Sequence, residues 1–347
     1  MTRLLESAAL LLTGLVVALA GCGSAGSGGG RVSAVGVSSP ARWTQALHLQ
    51  RVVDLSAPRR DGSLVVAANG RLALLAPGGV AEPFAGGPGG YSSAAGEEPY
   101  LALSSGQTVP GAGCAFPPDA VYVLALANPA GITAVDAQGH VQRFATLAGA
   151  GLLDGITFDG AGRFGHRLLV TRTAGRATTV FAIDCRGQVR VVTRTAPKVE
   201  GGIAVAPATF GRFAGQLIAP DENSGRIFAI APGGRGRLVA ASGLPRGGDV
   251  GVESAGFVPS PMPARASALL ADRLTPGNPH PGDDAILALS SASLRGAGVR
   301  GGDLLVATEG GARTDAVRCA STCRVRHVAD GPAIAHAEGH IVFAPAP

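Results

Sequence analysis

Residues 154–194 read DGITFDGAGRFGHRLLVTRTAGRATTVFAIDCRGQVRVVTR, and residues 200–242 read EGGIAVAPATFGRFAGQLIAPDENSGRIFAIAPGGRGRLVAAS. Both segments open on an acidic residue followed by glycine. Each continues through a short apolar run, a loop that contains phenylalanine and glycine, and three further apolar runs. Because their starting acids, Asp154 and Glu200, are 46 positions apart, we interpret the segments as two copies of one repeating unit.

Each unit predicts four short β-strands, since its apolar runs are separated by glycine-rich turns. The third strand is predicted at residues 180–184 in one copy and 227–230 in the other. Gly187 and Gly233 follow these strands as the predicted hairpin turn residues. A repeat of roughly 40 to 50 residues that contains four strands is typical of a β-propeller blade.

Weaker copies of the unit surround the two clear ones. Three strands are predicted in residues 63–84, and three more in residues 120–146. After the clear copies, two strands are predicted in residues 268–289, and residues 303–328 form the last group. The sequence therefore predicts an all-β, six-bladed propeller of four-stranded blades in residues 46–347. Residues 340–344 fit the missing inner strand of the first group, and residues 46–55 compete for the role of closing strand.

The first 21 residues have the pattern of an export signal, with Arg3 before an apolar run and small residues at the end. The sequence Leu19-Ala20-Gly21-Cys22 resembles the bacterial lipobox at all four positions. This resemblance implies that Cys22 is the acylated (palmitate-bearing) first residue of a mature lipoprotein at the outer face of the bacterial cytoplasmic membrane. Residues 22–45 then form a flexible, glycine-rich tether.

Four cysteines remain after Cys22, an even number in an oxidising compartment. Cys319 and Cys323 are close enough in sequence to close a small loop, and Cys114 and Cys185 can pair if neighbouring elements bring them together. A metal site formed by Cys319, Cys323 and His327 is the alternative. It lacks a second ligand pair at usable spacing, so disulfides are the favoured interpretation.

The composition argues against a nucleic-acid partner. The formal net charge is +5, but the charges are scattered, and only 4% of the residues are aromatic. Lys198 is the one lysine among 29 basic residues, a bias that reflects base composition more than function. We expect a monomer whose partners are the membrane, through the lipid anchor, and a ligand or protein of the cell envelope.

Carboxylates precede five of the predicted inner strands: Glu98, Asp154, Glu200, Glu253 and Glu338. Inner strands of a propeller run side by side around its axis, so these side chains are expected to converge on one mouth of the channel. Such an oxygen-rich ring suits Ca²⁺, with Asn223 and its neighbours Asp221 and Glu222 completing the ligand set. The alternative is that these acids cap turns and form salt bridges with arginines.

The central repeats, with their acidic-Gly starts and the turn and strand at residues 223–228, resemble the six-bladed propellers of the gluconolactonase, SMP-30 and strictosidine-synthase-like superfamily. This resemblance covers roughly residues 60–345. It implies a divalent metal, usually calcium, at the channel mouth, and hydrolysis of a lactone or ester. The serine-proline-aspartate block of lactonase members is missing from this sequence. We therefore expect a binding or scaffold module, with a calcium-dependent lactonase or esterase as the alternative.

Overall fold

A computed structural model describes residues 40–347 of the chain. The predicted export signal and Cys22 lie outside the described residues. Within residues 40–347 the fold is all-β, with one short α-helix and two 3-10 segments at Pro110–Ala112 and Gly211–Phe213. No helix in this part of the chain combines the length and apolar character needed to span a membrane.

The strand bounds follow the chain order. The first six strands are β1 (Ala41–Arg42), β2 (Thr44–His48), β3 (Val52–Leu55), β4 (Leu64–Ala68), β5 (Arg71–Leu75) and β6 (Ala81–Phe84). The next six are β7 (Leu101–Leu103), β8 (Thr108–Val109), β9 (Cys114–Ala115), β10 (Val121–Ala125), β11 (Gly131–Val135) and β12 (Val141–Thr146).

The two clear repeats contain β13 (Leu152–Phe158), β14 (Leu168–Ala174), β15 (Ala177–Ile183), β16 (Val189–Pro197), β17 (Ala204–Val205), β18 (Leu217–Asp221), β19 (Arg226–Ile230) and β20 (Gly236–Ala241). The remaining elements are β21 (Val252–Phe257), β22 (Ser267–Asp272), β23 (Ala285–Ser290), α1 (Ser291–Gly296), β24 (Leu304–Thr308), β25 (Thr314–Cys319), β26 (Cys323–Asp330) and β27 (Ala337–Ala344).

Four sheets are antiparallel and four-stranded, as predicted from the repeats: β3–β6, β7 with β10–β12, β13–β16, and β17–β20. Contacts between inner strands link β7 to β13, β13 to β17, β17 to β21, β21 to β27 and β27 to β3. The remaining neighbours are β3 and β7. They are joined by the side chain of Asp54 on β3, because its Oδ2 accepts the backbone N–H of Leu101 on β7 at 2.8 Å. The sheets are thus arranged in the manner of a β-propeller, which confirms the predicted fold class.

The rest of the chain is interleaved in a way that the sequence did not predict. A nine-stranded sheet consists of β1 and two four-stranded groups, β26-β25-β24-β21 and β27-β22-β23-β2, joined by one parallel pairing of Ala255 with His340. Strands β22 and β23 therefore leave the group of β21 and join a neighbouring group before the chain returns at β24.

Both ends of the described chain meet in the group β27-β22-β23-β2. Residues 340–344, predicted as the inner strand of the first group, instead belong to β27, which pairs with β22. The competing stretch, residues 46–55, contains two strand segments. It supplies β3, the inner strand of the first sheet. It also supplies the end of β2, which lies at the outer edge of the group β27-β22-β23-β2. Residues 41–45, which the composition assigned to the tether, lie in or beside β1 and β2, where Trp43 is buried and donates to Thr314 Oγ1 at 2.8 Å.

One turn prediction is wrong by a single position. Gly187 has a φ of +77° and occupies the left-handed position of its turn, as predicted. In the second repeat that conformation belongs to Gly234, at φ +84°, and not to Gly233. A side chain at Gly234 would also lie 2.8 Å from the carbonyl oxygen of Val192, so both the backbone conformation and the space favour glycine there.

Both predicted disulfides are present. Cys114, in β9, pairs with Cys185 just after β15, and Cys319 pairs with Cys323 across the β25–β26 hairpin. With both sulfurs in a disulfide, the alternative metal site is wrong. His327 instead contacts Asp315 and Asp330, at 3.1 Å each.

Candidate functional site

The structure brings four of the five predicted carboxylates to the walls of one cavity of about 680 Å³: Glu98, Asp154, Glu200 and Glu253. Each stands at or just before the first strand of a different group, which is why residues far apart in sequence meet here. We call this space the acidic cavity. Asn223 lies on an exposed turn and does not line it.

Glu338, the fifth carboxylate, lies behind the cavity wall at the start of β27 and is 1% exposed. Its oxygens contact Tyr100 Oη at 2.7 Å, His336 Nε2 at 3.2 Å and Arg273 Nη1 at 3.5 Å. Arg273 also pairs with Glu98. Glu338 therefore has three internal partners, and two of them, Arg273 and His336, can supply positive charge.

Tyr100 shows that a proton is shared within this network. Its hydroxyl lies 2.6 Å from Glu253 and 2.7 Å from Glu338, although it has only one proton to donate. Burial, together with the neighbouring Glu253 and Glu338, raises the pKa of Tyr100, so the phenol stays protonated. Burial and the charge of Glu338 also raise the pKa of Glu253. We infer that Glu253 is neutral and completes the second hydrogen bond by donating to the phenol oxygen.

His336 supplies a second positive charge to the network. Its Nε2 lies 2.9 Å from Glu309 Oε1, and both side chains are buried. Burial lowers the pKa of His336, but the bonds to Glu309 and Glu338 outweigh that effect and raise it to about 10. The imidazole is thus charged at neutral pH and acts as a counter-ion for two glutamates.

The side of the cavity around Glu200 is less well compensated. Glu200 contacts Lys198 at 2.9 Å. Burial, followed by the effects of Glu309 and Glu200, raises the pKa of Glu222 to about 9, and burial raises that of Asp154 to about 7. One oxygen of each of these two carboxyls, Glu222 Oε1 and Asp154 Oδ1, is buried without a hydrogen-bond partner. Asp154 lines the acidic cavity, whereas Glu222 does not.

Two groups of side chains in the described part of the chain are compact enough to surround a cation. They are Glu98, Glu253 and Glu338, and Glu309, His336 and Glu338, with ligand atoms within 4.8 Å of one another. Arg273 already pairs with Glu98 and Glu338 in the first group, and His336 contacts both glutamates in the second. Calcium binding therefore stays a prediction.

Sequence reasoning missed the partners that hold the carboxylates. Tyr100 follows Glu98 by two positions but looks like an ordinary strand residue, and Arg273 lies directly after β22, at the start of an insertion. Glu309 begins an acidic-Gly-Gly segment like that of Glu200, and this similarity could have identified it. His336 stands two residues before Glu338 and has no pattern of its own.

No known family model matches this sequence, and no curated protein matches it. Several solved structures are similar to the chain. Regucalcin, a calcium-binding protein from Agrobacterium tumefaciens, is 10% identical and has a TM-score of 0.49, covering 87% of this chain and 82% of that one. Virginiamycin B lyase from Staphylococcus aureus is 13% identical with a TM-score of 0.44, over 81% and 87%.

A lectin from Burkholderia pseudomallei is 12% identical with a TM-score of 0.46, covering 80% of this chain and 70% of that one. At these identities the likeness concerns the fold alone. The class that the sheets define is the β-propeller, and the function has to be argued from the site.

Proposed function

We propose that this protein is a lipid-anchored, extracytoplasmic β-propeller of six blades that acts as a binding module and takes a cation in its acidic cavity. The observation that supports the proposal best is the convergence of Glu98, Asp154, Glu200 and Glu253 on one cavity. A volume of about 680 Å³ falls within the range of small-molecule sites. The cavity can therefore hold a metal ion with its water, or the cationic part of a larger envelope ligand.

Charge favours a cation over an anion. Lys198 is the only basic residue on the walls of the cavity, against five carboxylates: Glu97, Glu98, Asp154, Glu200 and Glu253. Without a cation, buried carboxyls reduce their mutual repulsion by retaining protons, which agrees with the raised pKa values of Asp154 and Glu222. A cation bound beside Asp154 would replace its proton and contact its unpartnered oxygen.

Calcium is expected to raise the unfolding temperature of the full chain, purified in detergent. At a concentration 100 times the dissociation constant, the gain in unfolding free energy is about 2.7 kcal/mol. Asp154→Asn mimics the protonated carboxyl, so this variant should keep the stability of the calcium-free protein while losing most of the calcium-dependent gain. The measurement is thermal unfolding at pH 7.5 over a calcium titration, with magnesium as the comparison ion.

Glu82→Gln is the matched control, because Glu82 is exposed on β6, away from the cavity. It should leave the calcium response unchanged. The proposal is wrong if the wild-type chain shows no calcium-dependent rise, or if Asp154→Asn retains the full rise.

Hydrolysis of a lactone or ester is the second candidate. It is favoured by one observation: Asp154, whose pKa is raised to about 7 by burial, lines the cavity with an unpartnered oxygen. A carboxyl with that pKa is suited to act as a general base near neutral pH. Turnover of a lactone or aryl ester that is lost in Asp154→Asn would establish this candidate, whereas equal turnover by both chains would exclude Asp154 as the base.

The anchor is proposed on the lipobox-like sequence that ends at Cys22. Cys22→Ser removes the thiol that would be acylated, so the variant should move from the membrane fraction to the soluble fraction of the producing cells. Fractionation followed by immunoblotting measures this change. A Cys22→Ser chain that stays in the membrane fraction after a salt wash would contradict the anchor without affecting the proposal for the cavity.

A further inference from the structure

We propose that a second cavity, beside the acidic one, binds the anionic group of a small polar ligand such as a sugar acid or sugar phosphate. This second cavity has a volume of about 590 Å³. It lies between the first sheet and the segment after β22, and residues 92–97 form part of its wall. We call it the arginine cavity. The arginine cavity is a separate site that prefers an anion, whereas the site proposed above prefers a cation. The two proposals do not depend on each other.

Two uncompensated guanidinium groups give the arginine cavity its charge. Arg51, just before β3, and Arg71, at the start of β5, line it together with Arg273. Arg273 is paired with glutamates, but neither Arg51 nor Arg71 has a carboxylate within 4.0 Å among the described residues. Arg71 donates one hydrogen bond, of 3.0 Å, to the carbonyl oxygen of Tyr91. The remaining N–H groups of both arginines are available to a carboxylate or phosphate.

One carboxylate, Glu97, also lies on the wall and opposes an anion. Its Oε2 accepts the backbone N–H of Ala94 at 2.9 Å, which gives this oxygen a local partner. Two unpaired arginines against one glutamate still leave the cavity positive. The adjacent acidic cavity has five carboxylates and one lysine, so the two cavities select for opposite charges.

An unpartnered hydroxyl points to a ligand independently of charge. Thr275 Oγ1 is buried without a hydrogen-bond partner, and Thr275 lines the arginine cavity. Ser93 also lines the cavity, and its hydroxyl interacts with the phenol of Tyr91. A buried polar group left unpaired costs about 1 to 3 kcal/mol, so native proteins seldom retain one without use. Together with the amide of Asn69, these hydroxyls could bind the hydroxyl groups of a sugar.

The backbone around the two arginines is fixed before any ligand binds. The N–H of Arg51 donates to Asp284 Oδ1 at 2.7 Å, and its carbonyl oxygen accepts the N–H of Asn69 at 3.0 Å. Ser93 donates its N–H to the carbonyl oxygen of Gly70 at 3.0 Å. A side chain at Gly70 would come within 2.8 Å of the Ser93 carbonyl oxygen, so this close approach requires glycine. The site is thus preorganised, which reduces the entropy lost on binding.

The two cavities share Gly96 and Glu97 as a common wall. A ligand with an anionic group at one end could therefore extend from the arginine cavity towards the acidic cavity. The anion-binding step itself needs only Arg51, Arg71 and the hydroxyl groups. For this reason it can be tested without calcium.

The test is isothermal titration calorimetry of the full chain, in detergent and chelator, with glucuronate, glucose 6-phosphate and glucose. We expect at least one of the two anionic sugars to bind and glucose to bind at least tenfold more weakly. Added salt should weaken the binding of the anionic sugar, because it screens the attraction to the arginines. The double variant Arg51→Gln, Arg71→Gln should lose at least tenfold in affinity, and Asp154→Asn should bind the anionic sugars like the wild type.

Arg190→Gln is the matched control, because Arg190 is exposed on β16, outside both cavities. Thermal unfolding of all variants verifies that each is folded. Binding of glucuronate alone or of glucose 6-phosphate alone supports the inference and identifies the anion. The inference is overturned if neither anionic sugar binds, if glucose binds equally well, or if the folded double variant retains wild-type affinity.

Discussion

Replacement of Arg273 by methionine is expected to lower the free energy of unfolding by about 3 kcal/mol at pH 8, because breaking a buried ion pair leaves an uncompensated charge. The arginine side chain is 11% exposed and lies between Glu98 and Glu338. Methionine keeps much of the volume and removes the charge. The measurement is urea unfolding followed by the fluorescence of Trp43, the single tryptophan, which is buried.

This deficit should shrink at low pH. The charge of Glu338, then burial, raises the pKa of Glu98 from its ordinary value of 4.5 to about 7 even with Arg273 present. An acid whose pKa is higher in the folded state stabilises the fold below pH 4.5, and that contribution is lost as the pH rises through 7. Without Arg273, Glu98 retains its proton to still higher pH, so the variant and the wild type should differ least near pH 5.

Arg60→Met is the control for Arg273→Met. Arg60 lies 3.9 Å from Asp119, but its side chain is 68% exposed, and exposed ion pairs contribute about 0 to 1 kcal/mol. Equal losses of unfolding free energy in the two variants would contradict the prediction that Arg273 is the counter-ion of a buried network of carboxylates. A loss in Arg273→Met that does not depend on pH would contradict it as well.

Removal of the Cys114–Cys185 disulfide is the second large effect expected. The double variant Cys114→Ser, Cys185→Ser should lose about 4 kcal/mol of unfolding free energy, since this bond closes a loop of 71 residues in the unfolded chain. The same change at Cys319 and Cys323, which are four residues apart, should cost about 2 kcal/mol by the same relation.

The second pair is a matched control, because both variants exchange two cysteines for two serines. The losses are read from urea unfolding at pH 7 without reductant. If the short-loop variant loses as much as the long-loop one, chain entropy is not the cause of the difference in stability. Addition of reductant to the wild type should reproduce the sum of the two losses.

The repetitive half of the fold could be predicted from the sequence, because local patterns determine it. Four strands in each of residues 154–194 and 200–242 follow from alternating apolar runs and glycine turns, and the structure has them as β13–β16 and β17–β20. The slip from Gly234 to Gly233 arose because two adjacent glycines fit one turn equally well in sequence. Only the backbone dihedral angles distinguish them.

The interleaving of the last two strand groups could not be predicted in the same way. Residues 268–289 form two antiparallel strands whichever sheet they join, so the local pattern is identical for both topologies. What decides between them is the long-range pairing of Leu269 with Val342 and of Gln45 with Leu287. Such pairs leave no periodic trace in a single sequence.

The candidate site was predictable in its acids and not in their partners. A carboxylate before each inner strand is a positional regularity, and it led to the four residues that line the acidic cavity. Arg273 and His336, by contrast, lie on irregular segments, and their roles depend on distances to Glu98, Glu309 and Glu338. The charge balance, which decides how readily a cation binds, therefore required the three-dimensional structure.

The group that contains β2 and β27 also has a consequence for biosynthesis. Ribosomes deliver the amino end first, so β2 has no permanent neighbour until β23 is synthesised, some 240 positions later by the pairing of Gln45 with Leu287. The inner strand β27 comes last of all. Until then β22 presents an open hydrogen-bonding edge, and such edges invite pairing with other chains. We therefore expect the nascent protein to need protection from aggregation until β27 is synthesised.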